Sequence, residues 1–361
     1  MRRFIYIFVA AIMLYACNTG SMYQMDGKLS NLADPTLFVV YESPEGSIID
    51  TVVCDENGQF AVTRELTVQT RVITFYFNDR SEWFSVYPEV GKRAKITGDA
   101  DYPQLVSAKG GRTNNKLSEF KKKATVLLKR QADVLANMEE NMPPNDEEVS
   151  RLANINHELK SIVMDFIHKN PTEEASAILI SEYLANPDEM EQTDEALKLL
   201  SPDLDDYFIV RDLSARTEKA KTTSIGAKAP DFKVSNIYGQ TITPDSFANK
   251  YFILAFTALW CDMCRTEVMM LDEISAKYSG DSLEILLISL DDEVSEIRET
   301  ILQDTVKWNL VTDSAGQSIN LFEIYNVSSL PKCFLMDKEG VIRLRTSNGL
   351  ELKRTVDEIL N

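Results

Sequence analysis

Histidine is nearly missing from this chain, with two in 361 residues, His157 and His168. Neither has a ligand cluster beside it, so no metal centre is expected and both read as ordinary helix residues. Basic residues are also in deficit: 38 Lys and Arg stand against 56 Asp and Glu, a formal charge of -18. Phosphate backbones require cations, so nucleic acid is not expected as a partner. The charge favours solubility and says little about fold. Beyond the N-terminus no stretch is long and apolar enough to span a bilayer. Cysteine is scarce as well: five in all, too few and too scattered for a disulfide scaffold.

What is present begins with a targeting pattern. Met1-Arg2-Arg3 is a positive start, and FIYIFVAAIMLYA is an apolar run short for a transmembrane helix but suited to a signal segment. The run closes on Leu14-Tyr15-Ala16-Cys17, which resembles a bacterial lipobox. That resemblance implies a signal peptide over residues 1–16, lipidation of Cys17 and a stable membrane anchor. The alternative is a plain signal peptide followed by an unrelated cysteine. Residues 17–25 then read as a polar tether. The four other cysteines, Cys54, Cys261, Cys264 and Cys333, would face an oxidising compartment, where thiols tend to become disulfides.

Three patterns follow along the chain, and the fold class they predict is multidomain. Residues 26–110 carry β-branched and aromatic runs broken by turn residues: TLFVVYE, SIIDTVV, QFAVTREL, RVITFYF and EWFSVYP. Asn57-Gly58 is a strong hairpin signal, and a small antiparallel β domain is expected. Gly110-Gly111 interrupts this, and residues 112–222 switch to helical spacing. Leu117, Phe120, Ala124, Leu127, Leu128, Leu135 and Met138 form one stripe; Val149, Leu152, Ile155, Leu159, Ile162 and Phe166 form the next. A short Pro-rich loop between them predicts an antiparallel helix pair. Residues 226–361 alternate again. YFILAFTAL and LEILLISL read as buried strands, each followed by a helix, and a hairpin and a last helix close the chain. That order predicts an α/β domain with a mainly parallel sheet.

The chemistry concentrates in ALWCDMCRTE, residues 258–267. Cys261 directly follows a buried strand and begins a helix, where unpaired N–H groups and the partial positive charge favour a thiolate. Cys264 lies one turn on, placed to attack a mixed disulfide formed at Cys261. A zinc site would need two further ligands, and only the distant Cys54 and Cys333 remain. Two inert cysteines are the other possibility. The strand-to-helix junction favours a redox dithiol, working as a Cys261–Cys264 disulfide with no other cofactor. Cys333 reads as a buried core residue, with contact to the dithiol region the sharper alternative. Cys54 reads as a plain strand residue.

Residues 226–361 resemble a thioredoxin-fold domain of the TlpA/ResA type, close also to the AhpC/TSA group. The matching residues are APDF at 230–233, Phe256, Trp260, Cys261, Cys264, Arg265, Glu267 and Leu330-Pro331 before the FLMDKEG hairpin. The resemblance implies a cis Pro331 facing the dithiol, with Trp260, Leu330 and Pro331 contacting the partner. It makes Glu267 the acid that assists proton transfer at Cys264; the plainer reading is a solvated first-turn carboxylate. Three departures stand out. Asp262-Met263 fills the place where the family has a Pro before the second Cys, and a carboxylate beside Cys261 is expected to disfavour its thiolate. EVMML lacks the Pro usual after the Glu, which predicts a straighter helix. Ala255 stands where thioredoxin itself has a buried Asp. The N-terminal region resembles a β domain of unassigned function that precedes thioredoxin domains in Bacteroidetes-type lipoproteins.

The function expected is a membrane-anchored, extracytoplasmic thiol–disulfide oxidoreductase. The resemblance adds protein thiols and disulfides as partners, apocytochrome c among them, and a membrane thiol–disulfide shuttle as electron donor. Two alternatives come from other classes. A thiol peroxidase is opposed by Thr257, which stands four residues before Cys261 and not three. A non-enzymatic envelope scaffold would make the cysteine pair structural.

Overall fold

A computed structural model describes residues 21–66, 70–78, 80–140, 145–186, 190–278, 280, 282–297, 308–313 and 316–360. The leader and the lipidation expected at Cys17 lie outside the described residues. The chain divides into two compact units, residues 1–179 with 200–204, and residues 180–199 with 205–361.

The first unit opens with strands β1 (Ser21–Ser30), β2 (Thr36–Ser43), β3 (Gly46–Val53), β4 (Gln59–Leu66), β5 (Val72–Phe77), β6 (Glu82–Val86), β7 (Arg93–Asp99) and β8 (Ser107–Lys109). They form two four-stranded sheets, ordered β4-β1-β7-β8 and β3-β2-β5-β6. Alternation drives the inner faces together. Leu37, Val39 and Tyr41 of β2 and Ile73, Phe75 and Phe77 of β5 are buried in one core, where Phe75 stacks on Phe84 at 4.9 Å. The hairpin expected at Asn57-Gly58 is instead a turn that passes from β3 in one sheet to β4 in the other. Gly58 there has φ +72°, and a Cβ would collide with the Leu29 carbonyl.

The tether expected over residues 17–25 is corrected here. Residues 21–25 belong to β1, which pairs antiparallel with β4 and parallel with β7. Tyr23 and Met25 are 2% and 3% exposed, so every second residue of a polar-looking stretch enters the core.

Helices α1 (Arg112–Glu140) and α2 (Asp146–Lys169) follow, then α3 (Glu174–Tyr183). The contacts Phe120 to Phe166 and Gln131 to Asn156 run in opposite directions along the chain, so α1 and α2 are antiparallel. Asn145 starts α2 with a reciprocal capping box to Glu148. Leu135 and Val149, placed in the apolar stripes by their spacing, are 44% and 49% exposed; both lie near the loop end of the pair. The Pro-rich loop at 141–144 lies outside the described residues.

The second unit holds α4 (Met190–Leu197), α5 (Phe208–Lys221), β9 (Val234–Ser235), β10 (Thr241–Ile242), β11 (Tyr251–Thr257), α6 (Asp262–Tyr278), β12 (Leu283–Ser289), α7 (Val294–Ile297), β13 (Asn309–Val311), α8 (Gln317–Ile324), β14 (Lys332–Met336), β15 (Ile342–Thr346) and α9 (Gly349–Leu360). The helical segment expected as one block over 112–222 is therefore divided, because α4 and α5 group with the α/β unit. Of the helix expected in DEVSEIRETILQD, α7 is described and residues 298–304 lie outside.

The central sheet has the order β13-β12-β11-β14-β15. β11, β12 and β13 run parallel, and β14 and β15 are antiparallel additions. Period-two alternation along β11 builds a core on each face. Ile253 and Ala255 pack with Val268 and Leu271 of α6 and Leu352 and Val356 of α9. Phe252, Leu254 and Phe256 pack with Leu321 of α8 and Tyr325. This two-sided burial fixes β11, and with it the loop that leaves its C-terminal end.

Candidate redox site

Crevices outside the carboxyl ends of parallel strands are where α/β sheets place their chemistry. Here β11 ends at Thr257, residues 258–261 form a short turn, and α6 begins at Asp262. Cys261 and Cys264 are joined in a disulfide with Cα atoms 5.3 Å apart. Cys264 is fully enclosed at 0% exposure, and Cys261 shows a thin edge at 7%. The Cys264 backbone N–H points at Cys261 Sγ at 3.2 Å. In the reduced pair such a donor at a helix start stabilises the outer thiolate. Ala258 completes the dithiol cluster, and Leu290 and Leu330 pack against it.

The turn is held from β12. Asp291 Oδ2 accepts the Leu259 backbone N–H at 2.8 Å and the Ser289 hydroxyl at 2.6 Å. The Leu290 N–H reaches the Thr257 carbonyl at 3.1 Å. Asp291 escaped the sequence reading. The signal was its place just past a buried parallel strand, where side chains reach the same crevice.

The rim is apolar. Trp260 is 71% exposed and Met263 66% exposed. Opposite in sequence, Leu330-Pro331 is a cis peptide, and Pro331 is buried. Asp262 behaves differently from its expected part as a brake on the thiolate. Its side chain is 93% exposed and lies 4.0 Å from the Arg265 guanidinium. Water and a countercharge screen it, so its leverage on Cys261 is small. Without the family's Pro, α6 runs unbroken from Asp262 to Tyr278.

Glu267 lies one turn beyond Cys264 on α6 and is half-buried. Burial pushes its carboxyl above the usual range, and a hydrogen bond from the Gly349 N–H acts against that shift. It is not the solvated first-turn carboxylate of the plainer reading. Cys333 packs with Ala255 and Val268 in the α6-side core, outside the dithiol cluster. Its thiol is pushed up to about 12, by burial first and then by the Glu267 charge, with Lys332 opposing. Cys54 is enclosed in the β core, and burial, with Asp55, pushes its thiol to about 11. Thr257 is 2% exposed, and its hydroxyl has no hydrogen-bond partner among the described residues.

A strand-turn-helix junction with paired cysteines, in a mixed five-stranded sheet, defines a thioredoxin-fold oxidoreductase. Comparison with known proteins agrees. The AhpC/TSA family model matches residues 225–345. "Thiol-disulfide oxidoreductase ResA" of Bacillus thuringiensis subsp. konkukian is 29% identical over 142 residues, covering 39% of this chain and 80% of the relative. A Porphyra purpurea protein named "Putative peroxiredoxin ycf42" is 32% identical over 148 residues, covering 38% of this chain and 74% of the relative. Among solved structures, a thiol-disulfide oxidoreductase from Bacteroides fragilis shares 29% identity, covering 37% of this chain and 98% of its own, with a TM-score of 0.33. A thioredoxin-like protein from Bacteroides caccae shares 20% identity, covering 59% of this chain and 82% of its own, with a TM-score of 0.46. The chain belongs to the AhpC/TSA family, and within it to the TlpA-like thioredoxin-fold proteins.

Proposed function

We propose that this protein is a lipid-anchored thiol–disulfide oxidoreductase of the cell envelope that faces the periplasm and reduces protein disulfides through Cys261 and Cys264. One observation carries the reading: the two cysteines are bonded at the head of α6, beside a tryptophan exposed at 71%. A buried structural bridge would have no use for an apolar, open rim.

The reaction balances as follows. The Cys261 thiolate attacks a sulfur of the substrate disulfide. A Cys261–substrate S–S bond forms, the substrate's own S–S bond breaks, and the departing sulfur takes a proton. Glu267 takes the proton of Cys264, whose thiolate then attacks Cys261 Sγ. The Cys261–Cys264 bond closes, and the second substrate sulfur leaves and is protonated. Two electrons have passed to the substrate, and the pair ends oxidised, as in the structure. Trp260, Leu330 and Pro331 hold the substrate chain, with apocytochrome c one candidate. A membrane thiol–disulfide shuttle returns the two electrons. Lipidation at Cys17 keeps the protein beside that donor; among the described residues no helix is long and apolar enough to cross a membrane.

The midpoint potential tests this, by thiol trapping in dithiothreitol or glutathione buffers. A reversible couple near or below about -200 mV marks a reductase, and one near about -120 mV an oxidant. A disulfide that yields only on unfolding overturns the catalytic reading. Thiol peroxidase is the second reading, supported by the Porphyra relative's name and by the buried Thr257 hydroxyl near the dithiol loop. Peroxide consumption at enzyme-like rates by the reduced protein, retained in Cys264→Ser, would establish it instead.

A further inference from the structure

The first turn of α9 accounts for its own amides except one. The Asn348 N–H donates to Thr346 Oγ1 at 3.0 Å. Asn348 Oδ1 in turn accepts the N–H groups of Leu350 at 3.0 Å and Glu351 at 3.1 Å. A helix start leaves four such donors without intrahelical partners, and the fourth belongs to Gly349. The Glu267 carboxylate of α6 lies against it, and the Gly349 N–H lowers that carboxyl's pKa. The approach is close. A Cβ at position 349 would overlap Glu267 Oε2 and fall 3.0 Å from Glu267 Cδ and 2.9 Å from Met270 Cγ. Gly349 does not have the left-handed backbone that usually calls for glycine. In a helix an alanine would otherwise be favoured over glycine, so the close approach is what keeps a side chain out.

We propose that Gly349 is a positioning residue for Glu267: its bare backbone N–H, at the head of α9, seats the carboxylate that handles the Cys264 proton. This rests on the role given to Glu267 above. The helix start supplies a partial positive charge as well as a donor, so the same contact fixes the carboxylate in place and offsets the cost of enclosing it. Of the titratable groups on the elements around Glu267, Cys333 on β14 feels its charge; on α6 and α9, Lys353 pairs with Glu273 and Lys277 with Asp357. Glu351 is engaged by the Thr346 hydroxyl at 2.6 Å.

The test follows the rate of disulfide reduction by dithiothreitol against pH in the full chain, for wild type, Glu267→Gln, Gly349→Ala and the double variant. The expected result is a limb in the wild-type profile that Glu267→Gln abolishes and that Gly349→Ala displaces by about half a pH unit or more. Adding Gly349→Ala to Glu267→Gln should change the profile no further, which a purely structural role would not produce. If Glu267→Gln loses the limb while Gly349→Ala superimposes on wild type, the positioning proposal fails and the role of Glu267 stands. If Glu267→Gln itself superimposes on wild type, both fall. Should Gly349→Ala not fold, the wild-type protein decides. Its Gly349 amide resonance should titrate with the Glu267 carboxyl, and an amide shift flat across that range overturns the proposal.

Discussion

Removing the Asp291 carboxylate should loosen the turn that presents the dithiol, by an amount its contacts define. Two donors converge on one oxygen: the Leu259 N–H at 2.8 Å and the Ser289 hydroxyl at 2.6 Å. Ser289 is 0% exposed, so its hydroxyl has no water to turn to. Hydrogen bonds to a charged acceptor contribute about 1.5–3 kcal/mol each, and the carboxylate's partial exposure reduces that. Asp291→Ala is expected to cost about 2–4 kcal/mol on that basis. Asp291→Asn can offer its amide oxygen at the same point and should cost about 1 kcal/mol, the share owed to charge. Urea unfolding of the oxidised protein, followed by a signal from the second unit, reads both costs, with an unchanged m value as the control. The Leu259 amide should exchange about tenfold faster for each 1.4 kcal/mol lost locally. Asp291→Ala costing under about 0.5 kcal/mol would refute the reasoning. Equal losses in the two variants would show that charge, and not the geometry of the shared oxygen, holds the turn.

Two further outcomes can be checked independently. Cys333 and Cys54, with thiols pushed up to about 12 and about 11, should resist iodoacetamide in the reduced native protein while Cys261 is labelled. Peptide mass spectrometry showing Cys333 labelled as fast as Cys261 would contradict this. For Asp337, burial works against ionisation, but the N–H groups of Val341 and Glu339 and the Arg343 guanidinium outweigh it and hold the carboxyl below its usual range. A lowered folded pKa gives stability that is present above the unfolded value and lost as pH falls through the folded one. Asp337→Asn should therefore lose stability less steeply than wild type between about pH 5 and pH 2, as followed by unfolding midpoints. Parallel curves for the two proteins would argue against it.

The parts that could be read from the sequence are those with strong local signals. TLFVVYE and QFAVTREL announce strands by alternation, and ALWCDMC declares its junction because a buried run stops where a helix starts. β1 was hidden by its own outer face: SMYQMDGKLS interleaves Gln24, Asp26 and Lys28 with Tyr23, Met25 and Leu29, and it adjoins a polar stretch. β13 has three residues and α4 is short and acidic, so neither carries enough periods to be seen. That α4 and α5 group with the α/β unit depends on packing, which spacing alone does not encode. The burial of Glu267 is of the same kind. Its enclosure comes from α9, far along the chain, and the only local hint was Asn348-Gly349 with Glu351 beyond, a helix-start signature.

That enclosure has a consequence for how the protein matures. Cys261 and Cys264 are neighbours in sequence, so their bond needs little more than the first turn of α6. The seat of Glu267 needs Gly349, which is synthesised after β14 and β15. A growing chain therefore acquires an oxidisable pair well before it acquires the tuned carboxylate beside it. If Glu267 handles the Cys264 proton as proposed, that step is complete only when α9 docks, and full reactivity then reports that the domain has finished folding.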